Sequence, residues 1–256
     1  MRADKFFAEK FGSRTKAKEK LLRGLIFADE KQLSPDSELT GGETFCFVEE
    51  NSFVSRGGDK LERGLSVFGE SVEGGIFADF GASTGGFTDC LLRRGAKKVY
   101  CVDVGENQLD ETLARDSRVV VLDNTNVRYL TEENFQEPLD GIVSDLSFIS
   151  LRLVLPVVSR LFHEEQRAFM LFKPQFECGK GKIGKSGILP VRYHENLLGD
   201  FYDFSLSLGL KVHNIVNAPL HEGKNVEYIL YLSKVGEALD KREYLRRAAE
   251  FYENRS

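Results

Sequence analysis

The segment Phe77-Ala78-Asp79-Phe80-Gly81-Ala82-Ser83-Thr84-Gly85-Gly86-Phe87 narrows the possible folds more than any other part of this 256-residue chain. An apolar run ends in a glycine-rich turn, and glycine lets a backbone turn tightly and approach a ligand because no Cβ intervenes. Twenty-two residues beyond Gly81, a second apolar run, Val99-Tyr100-Cys101-Val102, ends in Asp103. Strand, glycine loop, helix, strand and acid is the order of a Rossmann-like nucleotide site, in which the acid holds ribose hydroxyls. The loop lacks the G-x-G-x-x-G spacing that seats a pyrophosphate on a helix N-terminus. A nucleoside-type ligand without a phosphate fits the looser acidic-x-Gly-x-small-x-Gly pattern, and S-adenosylmethionine is such a ligand.

The chain beyond Ile76 alternates between two kinds of segment. Apolar, β-rich runs fall at Ile76–Phe80, Lys98–Val102, Val119–Leu122, Gly141–Val143, Ala168–Phe172, Lys211–Val216 and Val226–Leu232. Helical patterns separate most of them, at Gly86–Arg94, Leu109–Arg115, Ser150–Leu161 and Val191–Leu208. Such alternation predicts a parallel sheet covered by helices on both faces. The last two runs are joined only by the polar turn His221-Glu222-Gly223-Lys224-Asn225, too short for a parallel crossover, so they form an antiparallel hairpin. The expectation is an α/β, Rossmann-like, class I S-adenosylmethionine-dependent methyltransferase sheet of seven strands with its last hairpin antiparallel. A peripheral helix is expected over Glu237–Asn254.

Ligands of such sheets lie outside the carboxyl ends of the strands. Those ends carry Asp79 and the loop residues Gly81, Ala82, Ser83, Thr84, Gly85, Gly86 and Phe87, then Asp103 and Val104, Asp123 and Asn124, Ser144-Asp145, and Lys173-Pro174. The residues of the first three ends, with Asp145, are the candidate cofactor contacts. Asp145 and Lys173 follow neighbouring strands and are expected side by side, and Glu227 enters the last hairpin. A carboxylate beside an ammonium favours the charged form of each. Lys173 can then orient a hydroxyl or stabilise a developing alkoxide while Asp145 guides its proton away. The same pair is also a common structural ion pair.

The residues after the fourth strand exclude some chemistry. Enzymes that methylate exocyclic base nitrogens carry Asn/Asp-Pro-Pro-aromatic there, whereas this chain has Ser144-Asp145-Leu146-Ser147-Phe148. Carbon-5 methylation needs a cysteine nucleophile, and Cys178, the one candidate, has neither a Pro-Cys nor a Thr-Cys context. An inert Cys178 and a hydroxyl acceptor are the expectation.

Ahead of the alternating region, Lys10 to Arg23 hold six cations, Lys10, Arg14, Lys16, Lys18, Lys20 and Arg23, against one acid, Glu19, in a chain of net charge −5. Helices are expected over Ala3–Phe11 and Thr15–Leu22, with caps at Ser13 and Gly24, and strands at Leu25–Ala28 and Phe45–Val48. The charge run is either a solvated face or a phosphate-contacting one. Four dispersed cysteines without C-x-x-C pairs argue against zinc and against a disulfide framework, so no metal is expected. No apolar run reaches the ~18–20 residues of a membrane span. Met1-Arg2-Ala3-Asp4-Lys5 lacks the apolar core of a secretory leader, and a cytoplasmic location is the expectation.

Four segments together, Ser55-Arg56-Gly57-Gly58-Asp59-Lys60-Leu61, Asp79 to Thr88, Ser144 to Ser150 and Lys173-Pro174-Gln175-Phe176-Glu177, closely resemble the TlyA, or hemolysin A, family. The resemblance implies a small N-terminal α+β S4-type RNA-binding domain over residues 1–52 and an FtsJ-like ribose methyltransferase domain over 53–256. It implies S-adenosylmethionine-dependent methylation of a cytidine 2′-hydroxyl in ribosomal RNA, with ribosomal RNA or ribosomal subunits as partners. Its Lys-Asp-Lys-Glu tetrad falls on Lys60, Asp145, Lys173 and Glu227, with Glu222 in the same hairpin as the alternative acid. It implies RNA contacts for Arg14, Lys16, Lys18, Lys20 and Arg23, and for the basic segment with Lys180, Lys182 and Lys185. The chain departs from the family after Asp103, where Gly105-Glu106-Asn107-Gln108 replaces a Gly-Tyr-Gly-Gln turn; an added acid there is expected to weaken cofactor binding. A non-catalytic RNA-binding or ribosome-assembly factor is therefore the alternative reading. A membrane-lytic role, suggested by the older family name, finds no spanning run and no basic amphipathic helix.

Overall fold

The computed structural model describes residues 1–22, 26–28, 31–47, 53–163, 165–179, 181–184, 187–219 and 223–253. Contacts divide the chain into two compact units, Met1–Ser52 and Phe53–Ser256. In the first, helices α1 (Ala3–Phe6) and α2 (Arg14–Leu22) accompany strands β1 (Ile26–Ala28), β2 (Lys31–Gln32) and β3 (Phe45–Phe47). The strands form an antiparallel sheet in the order β2-β1-β3. Its small core gathers Ala3, Phe7, Ala17, Leu21, Ile26, Leu33 and Leu39. Helix α1 stops at Phe6, short of the expected Phe11, and Gly12 turns the chain at φ 78° ahead of α2. Strand β2 carries only Lys31 and Gln32, so no apolar pattern announced it. Gly24 and Val48 lie outside the described residues.

The second unit opens with α3 (Arg56–Phe68), a helix absent from the sequence reading. Its Gly57, Gly58 and Gly64 are poor helix formers, each costing about 1 kcal/mol relative to alanine. Packing demands two of them. A Cβ on Gly58 would lie 2.1 Å from Phe53 Cγ, and one on Gly64 would lie 2.7 Å from Ile229 Cγ2. Ser55 caps α3 by accepting from Gly57 N at 3.3 Å, and Gly69 ends it in the left-handed conformation.

The alternating region then follows in chain order. Strand β4 (Ile76–Phe80), helix α4 (Gly86–Arg93), strand β5 (Lys98–Val102), helix α5 (Glu111–Ala114) and strand β6 (Val119–Leu122) make its first half. Strand β7 (Gly141–Ser144), helix α6 (Leu155–Leu161), strand β8 (Arg167–Phe172) and the short helix α7 (Pro174–Glu177) come next. Helix α8 (His194–Ser207), strands β9 (Lys211–Asn217) and β10 (Tyr228–Ser233), and helix α9 (Lys241–Glu253) complete the unit.

The strands form one seven-stranded sheet in the order β6-β5-β4-β7-β8-β10-β9. Pairs β4–β5, β4–β7, β5–β6 and β7–β8 are parallel, whereas β10 runs antiparallel to both β8 and β9. The expected sheet and hairpin are therefore present. Alternating side chains feed two cores, one per face: Ile76, Ala78 and Phe80 join Tyr100, Ile142, Val158 and Phe201, while Phe77 joins Leu61, Leu65, Phe87, Val99 and Ile229. The strand order reverses between β4 and β7, and at such a switch point the carboxyl ends diverge into a crevice. Strand β10 starts at Tyr228, two residues later than expected, which leaves Glu227 in the hairpin rather than in the strand.

Candidate active site

The glycine loop after β4 takes its shape from close contacts. Gly81 has φ 81°, and a Cβ there would lie 2.8 Å from Leu146 Cδ2, so the loop after β7 presses directly on its backbone. Gly85 caps α4 at φ 93°, and Ser83 is left-handed at φ 47°. A Cβ on Gly86 would lie 2.2 Å from Ser55 Oγ, which brings the start of α3 against the start of α4. Asp79 is fully buried beneath this turn; its Oδ2 accepts from Thr88 N at 3.0 Å and Thr88 Oγ1 at 2.8 Å. Its Oδ1 is buried with no hydrogen-bond partner among the described residues. Burial pushes the Asp79 carboxyl up to about 7 against the lowering hydrogen bonds from Thr88.

Asp103 works on both neighbouring loops, accepting from Ser83 N with Oδ2 and from Gly105 N with Oδ1, each at 2.8 Å. It lines a cleft of about 610 Å³ with Gly81, Ser83, Val104, Asn126 and Leu146. Asp123 and Asn124 are not in that lining. Asp123 Oδ2 accepts from Asn107 N at 3.0 Å, and Asn124 N donates to Gly105 O at 3.1 Å, so both brace the turn after β5. That turn absorbs the departure from the family pattern. Asn107 adopts φ 55°, a conformation asparagine tolerates better than most residues. Glu106 is exposed and is not among the residues lining the cleft.

Beside this cleft lies a second, of about 250 Å³, which shares Gly81, Ser83, Asp145 and Ser147 with it and adds Asp79, Ala82, Thr84, Gly86 and Phe87. Gly85 stands behind it as the helix cap. Three of the four expected catalytic residues, Lys60, Asp145 and Lys173, line it, and the fourth, Glu227, reaches the cluster through Lys60. Lys173 Nζ lies 2.6 Å from Asp145 Oδ1 and donates to Ser147 Oγ at 2.8 Å. Lys60 Nζ, on α3, lies 3.5 Å from Asp145 Oδ2 and 2.8 Å from Glu227 Oε2. Lys173 is only 7% exposed, so its ammonium is largely removed from water. Burial would lower the Lys60 pKa, but the Asp145 and Glu227 carboxylates outweigh it and hold the ammonium above its ordinary range. A third cleft, of about 390 Å³, opens on the far side of Lys60 between Arg56, Gln175, Lys224 and Glu227.

Several neighbours of this cluster were not foreseen. Ser147 and Gln175 lie inside recognised segments but gave no separate signal; Gln175 Nε2 donates to Glu227 Oε1 at 3.0 Å. Glu177 accepts from Ser150 Oγ at 2.5 Å and Leu151 N at 2.7 Å, tying the loop that carries Asp145 to the helix that follows Lys173. Phe148 is left-handed at φ 64°, 92% exposed, and packs 5.1 Å from the Phe176 ring. Cys178 is buried, in keeping with an inert thiol.

Among the candidate RNA contacts, Lys16 and Lys18 are exposed on α2, and Lys20 Nζ sits 5.3 Å from the Phe11 ring centroid. Arg14 is differently employed: its Nη2 lies 2.8 Å from Asp4 Oδ2, a carboxylate only 2% exposed. Lys182 Nζ stands 5.5 Å from the Tyr193 ring centroid. Arg23, Lys180, Lys185 and Glu222 lie outside the described residues. Among the described residues no group of three His, Cys, Asp or Glu side chains could hold a metal ion, and no helix is long and apolar enough to cross a membrane.

Comparison with known proteins agrees with this geometry. Residues 53–234 match the FtsJ-like methyltransferase family. A Bacillus subtilis protein provisionally named the rRNA methyltransferase YqxC is 40% identical over 236 residues, 90% of this chain and 84% of that one. A Campylobacter jejuni protein named 23S rRNA (cytidine-2′-O)-methyltransferase TlyA is 35% identical over 211 residues, 80% of each chain. A solved Streptococcus thermophilus structure described as a hemolysin superposes with a TM-score of 0.73 at 34% identity, covering 99% of this chain and 98% of that one. The chain therefore belongs to the FtsJ-like methyltransferase family, in the branch that carries the TlyA and hemolysin A names.

Proposed function

We propose that this protein methylates the 2′-hydroxyl of a cytidine in ribosomal RNA, with S-adenosylmethionine as the donor. The observation that carries the reading is the continuous cluster Lys173–Asp145–Lys60–Glu227 beside the glycine loop at the sheet's switch point. The pocket residues fit that donor. Its lining is acidic, with Asp79, Asp103 and Asp145, and Asp79 Oδ1 has a free lone pair; this suits a ligand with ammonium and sulfonium charges and no phosphate. When bound, S-adenosylmethionine supplies a methyl group on positively charged sulfur, open to attack by an oxygen lone pair.

This chain's residues prepare that oxygen. The Lys173 ammonium, pinned by Asp145 and Ser147, points a donor at the substrate oxygen and stabilises negative charge developing there. Asp145 accepts the hydroxyl proton, and Lys60, 3.5 Å from Asp145 Oδ2, holds the carboxylate in place. Proton transfer of this kind contributes about 10²–10⁴-fold. Alignment of the reactants contributes more, ~7–11 kcal/mol, so the rigid loops around Gly81 and Leu146 matter as much as the charged groups. The N-terminal unit, with Lys16, Lys18 and Lys20 on one helix, is the S4-type RNA-binding part of this reading, supplying phosphate contacts without sequence information. Ribosomal RNA or ribosomal subunits in the cytoplasm are then the partners.

The test is transfer of labelled methyl from S-adenosylmethionine to ribosomal subunits from cells lacking this protein. Wild type should give alkali-resistant label, and Lys173→Ala should lose it while still binding the donor. Label that alkali removes moves the chemistry to a base; absence of label overturns the reading.

A further inference from the structure

The catalytic cluster is part of a longer chain of alternating groups. Gln175 Nε2 donates to Glu227 Oε1, Glu227 Oε2 accepts from Lys60, Lys60 and Lys173 flank Asp145, and Lys173 donates to Ser147 Oγ. Two ammonium and two carboxylate groups thus lie between two neutral ends, an amide and a hydroxyl. We propose that Gln175 is a positioning residue for this reaction: its amide holds Glu227 in the rotamer that anchors Lys60. Through Lys60 it fixes the placement of Asp145 against Lys173. The inference rests on the methyl-transfer reading above.

The geometry restricts what the amide can do. Reversing it would set Gln175 Oε1 against Glu227 Oε1, two acceptors with no proton between them. In the orientation present, Oε1 is buried and has no hydrogen-bond partner among the described residues. An amide left half-satisfied away from water is unfavourable, and the contact with Glu227 is what holds it there. Gln175 lies two residues beyond Lys173, and Lys173 is the N-cap of α7, so one short helix places both Gln175 and the Lys173 that contacts Asp145 and Ser147.

The choice of a neutral donor matters because of what surrounds Glu227. Lys60 faces it from α3, Arg56 and Lys224 line the same cleft, and Asp145 and Lys173 follow beyond Lys60. A carboxylate at position 175 would stand at hydrogen-bond distance from Glu227. Two such groups share one proton and titrate as a pair, with one apparent pKa well above the ordinary carboxylate range. Leucine at the same position keeps the bulk and removes the donor.

The experiment compares wild type, Gln175→Leu and Gln175→Glu as full chains, using S-adenosylmethionine and ribosomal subunits from cells lacking this protein. Methyl transfer is followed across pH, and donor binding is measured by calorimetry. Gln175→Leu should lower kcat about tenfold with the KM for subunits and the donor Kd unchanged. Gln175→Glu should move the acid limb of the kcat profile upward by about one unit or more. Wild-type kcat and an unmoved acid limb in both variants overturn the positioning role. So does loss of donor binding together with activity in both, which marks Gln175 as merely structural. A wild type that transfers no methyl group sinks the methyl-transfer reading, and the positioning role with it.

Discussion

Lys60 is the residue whose removal gives the sharpest test of the cluster, because among the described residues it alone touches both carboxylates. In Lys60→Met the side-chain length is kept and the charge is lost. Asp145 and Glu227, whose oxygens approach Lys60 Nζ at 3.5 and 2.8 Å, then face each other across an apolar stem. Losing a close opposite charge raises a carboxyl pKa by about 1–3 units. Breaking a buried pair costs ~3–5 kcal/mol, and partial exposure of these groups, 17–20%, puts the expected destabilisation toward the lower end of that range. The activity consequence is separable from stability. Lys173 still stands 2.6 Å from Asp145 Oδ1, but the second oxygen loses its cationic anchor and Glu227 loses its partner, so the proton acceptor is less well aligned and kcat at pH 7 should fall by about 10-fold. Stability has its own signature. The Lys60 pKa is raised in the folded state above its ordinary 10.5, so its contribution is fully present below that pH and fades as pH rises through the folded value. Denaturant titrations should therefore show the largest gap between wild type and Lys60→Met at neutral pH and a narrowing gap above about pH 10.5. An acid limb of kcat identical in the two proteins would refute the coupling of Lys60 to Asp145.

Other substitutions probe separate parts of the fold. Gly64→Ala brings a Cβ to 2.7 Å from Ile229 Cγ2, an overpacking that should cost about 1–3 kcal/mol and lower Tm by a few degrees in a thermal melt. An unchanged Tm would show that β10 yields at no cost. Asp79→Asn removes a carboxyl whose folded value is about 7 against an ordinary 3.8. The folded state binds the proton more tightly there, so this group lowers wild-type stability as pH rises from about 4 to 7, and the asparagine variant should lose that slope in denaturant titrations. Replacing Lys16, Lys18 and Lys20 together by alanine should weaken RNA binding and reduce the salt dependence of log K by about 0.7–0.9 per lost phosphate contact. An unchanged slope would return α2 to a solvated face.

The sheet was legible because its central strands β4, β7 and β8 are buried on both faces and read as near-continuous apolar runs, as Ala168 to Phe172 does. Asp145 and Lys173 were legible for the related reason that a charged residue ending such a run must sit at the strand's carboxyl edge. What escaped was whatever depends on packing rather than on pattern. Lys60 was reached only through family resemblance, because α3 carries Gly57, Gly58 and Gly64 and so conceals a helix behind weak local propensity. Two of these glycines, Gly58 and Gly64, with Gly86 at the start of α4, are the reason Lys60 arrives where it does. Gly58 admits the Phe53 ring, Gly64 admits Ile229, and Gly86 admits Ser55, so α3 settles against β10 and the start of α4 at a depth that any Cβ would prevent. A helix of low intrinsic propensity held by close contacts owes its position to those contacts. Lys60 is therefore tied both to Glu227, immediately before β10, and, through Ser55 and Gly86, to the loop that shapes the donor cleft. Substitutions at these glycines should accordingly disturb methyl transfer more than their effect on stability alone would suggest, because they shift the lysine relative to both carboxylates at once.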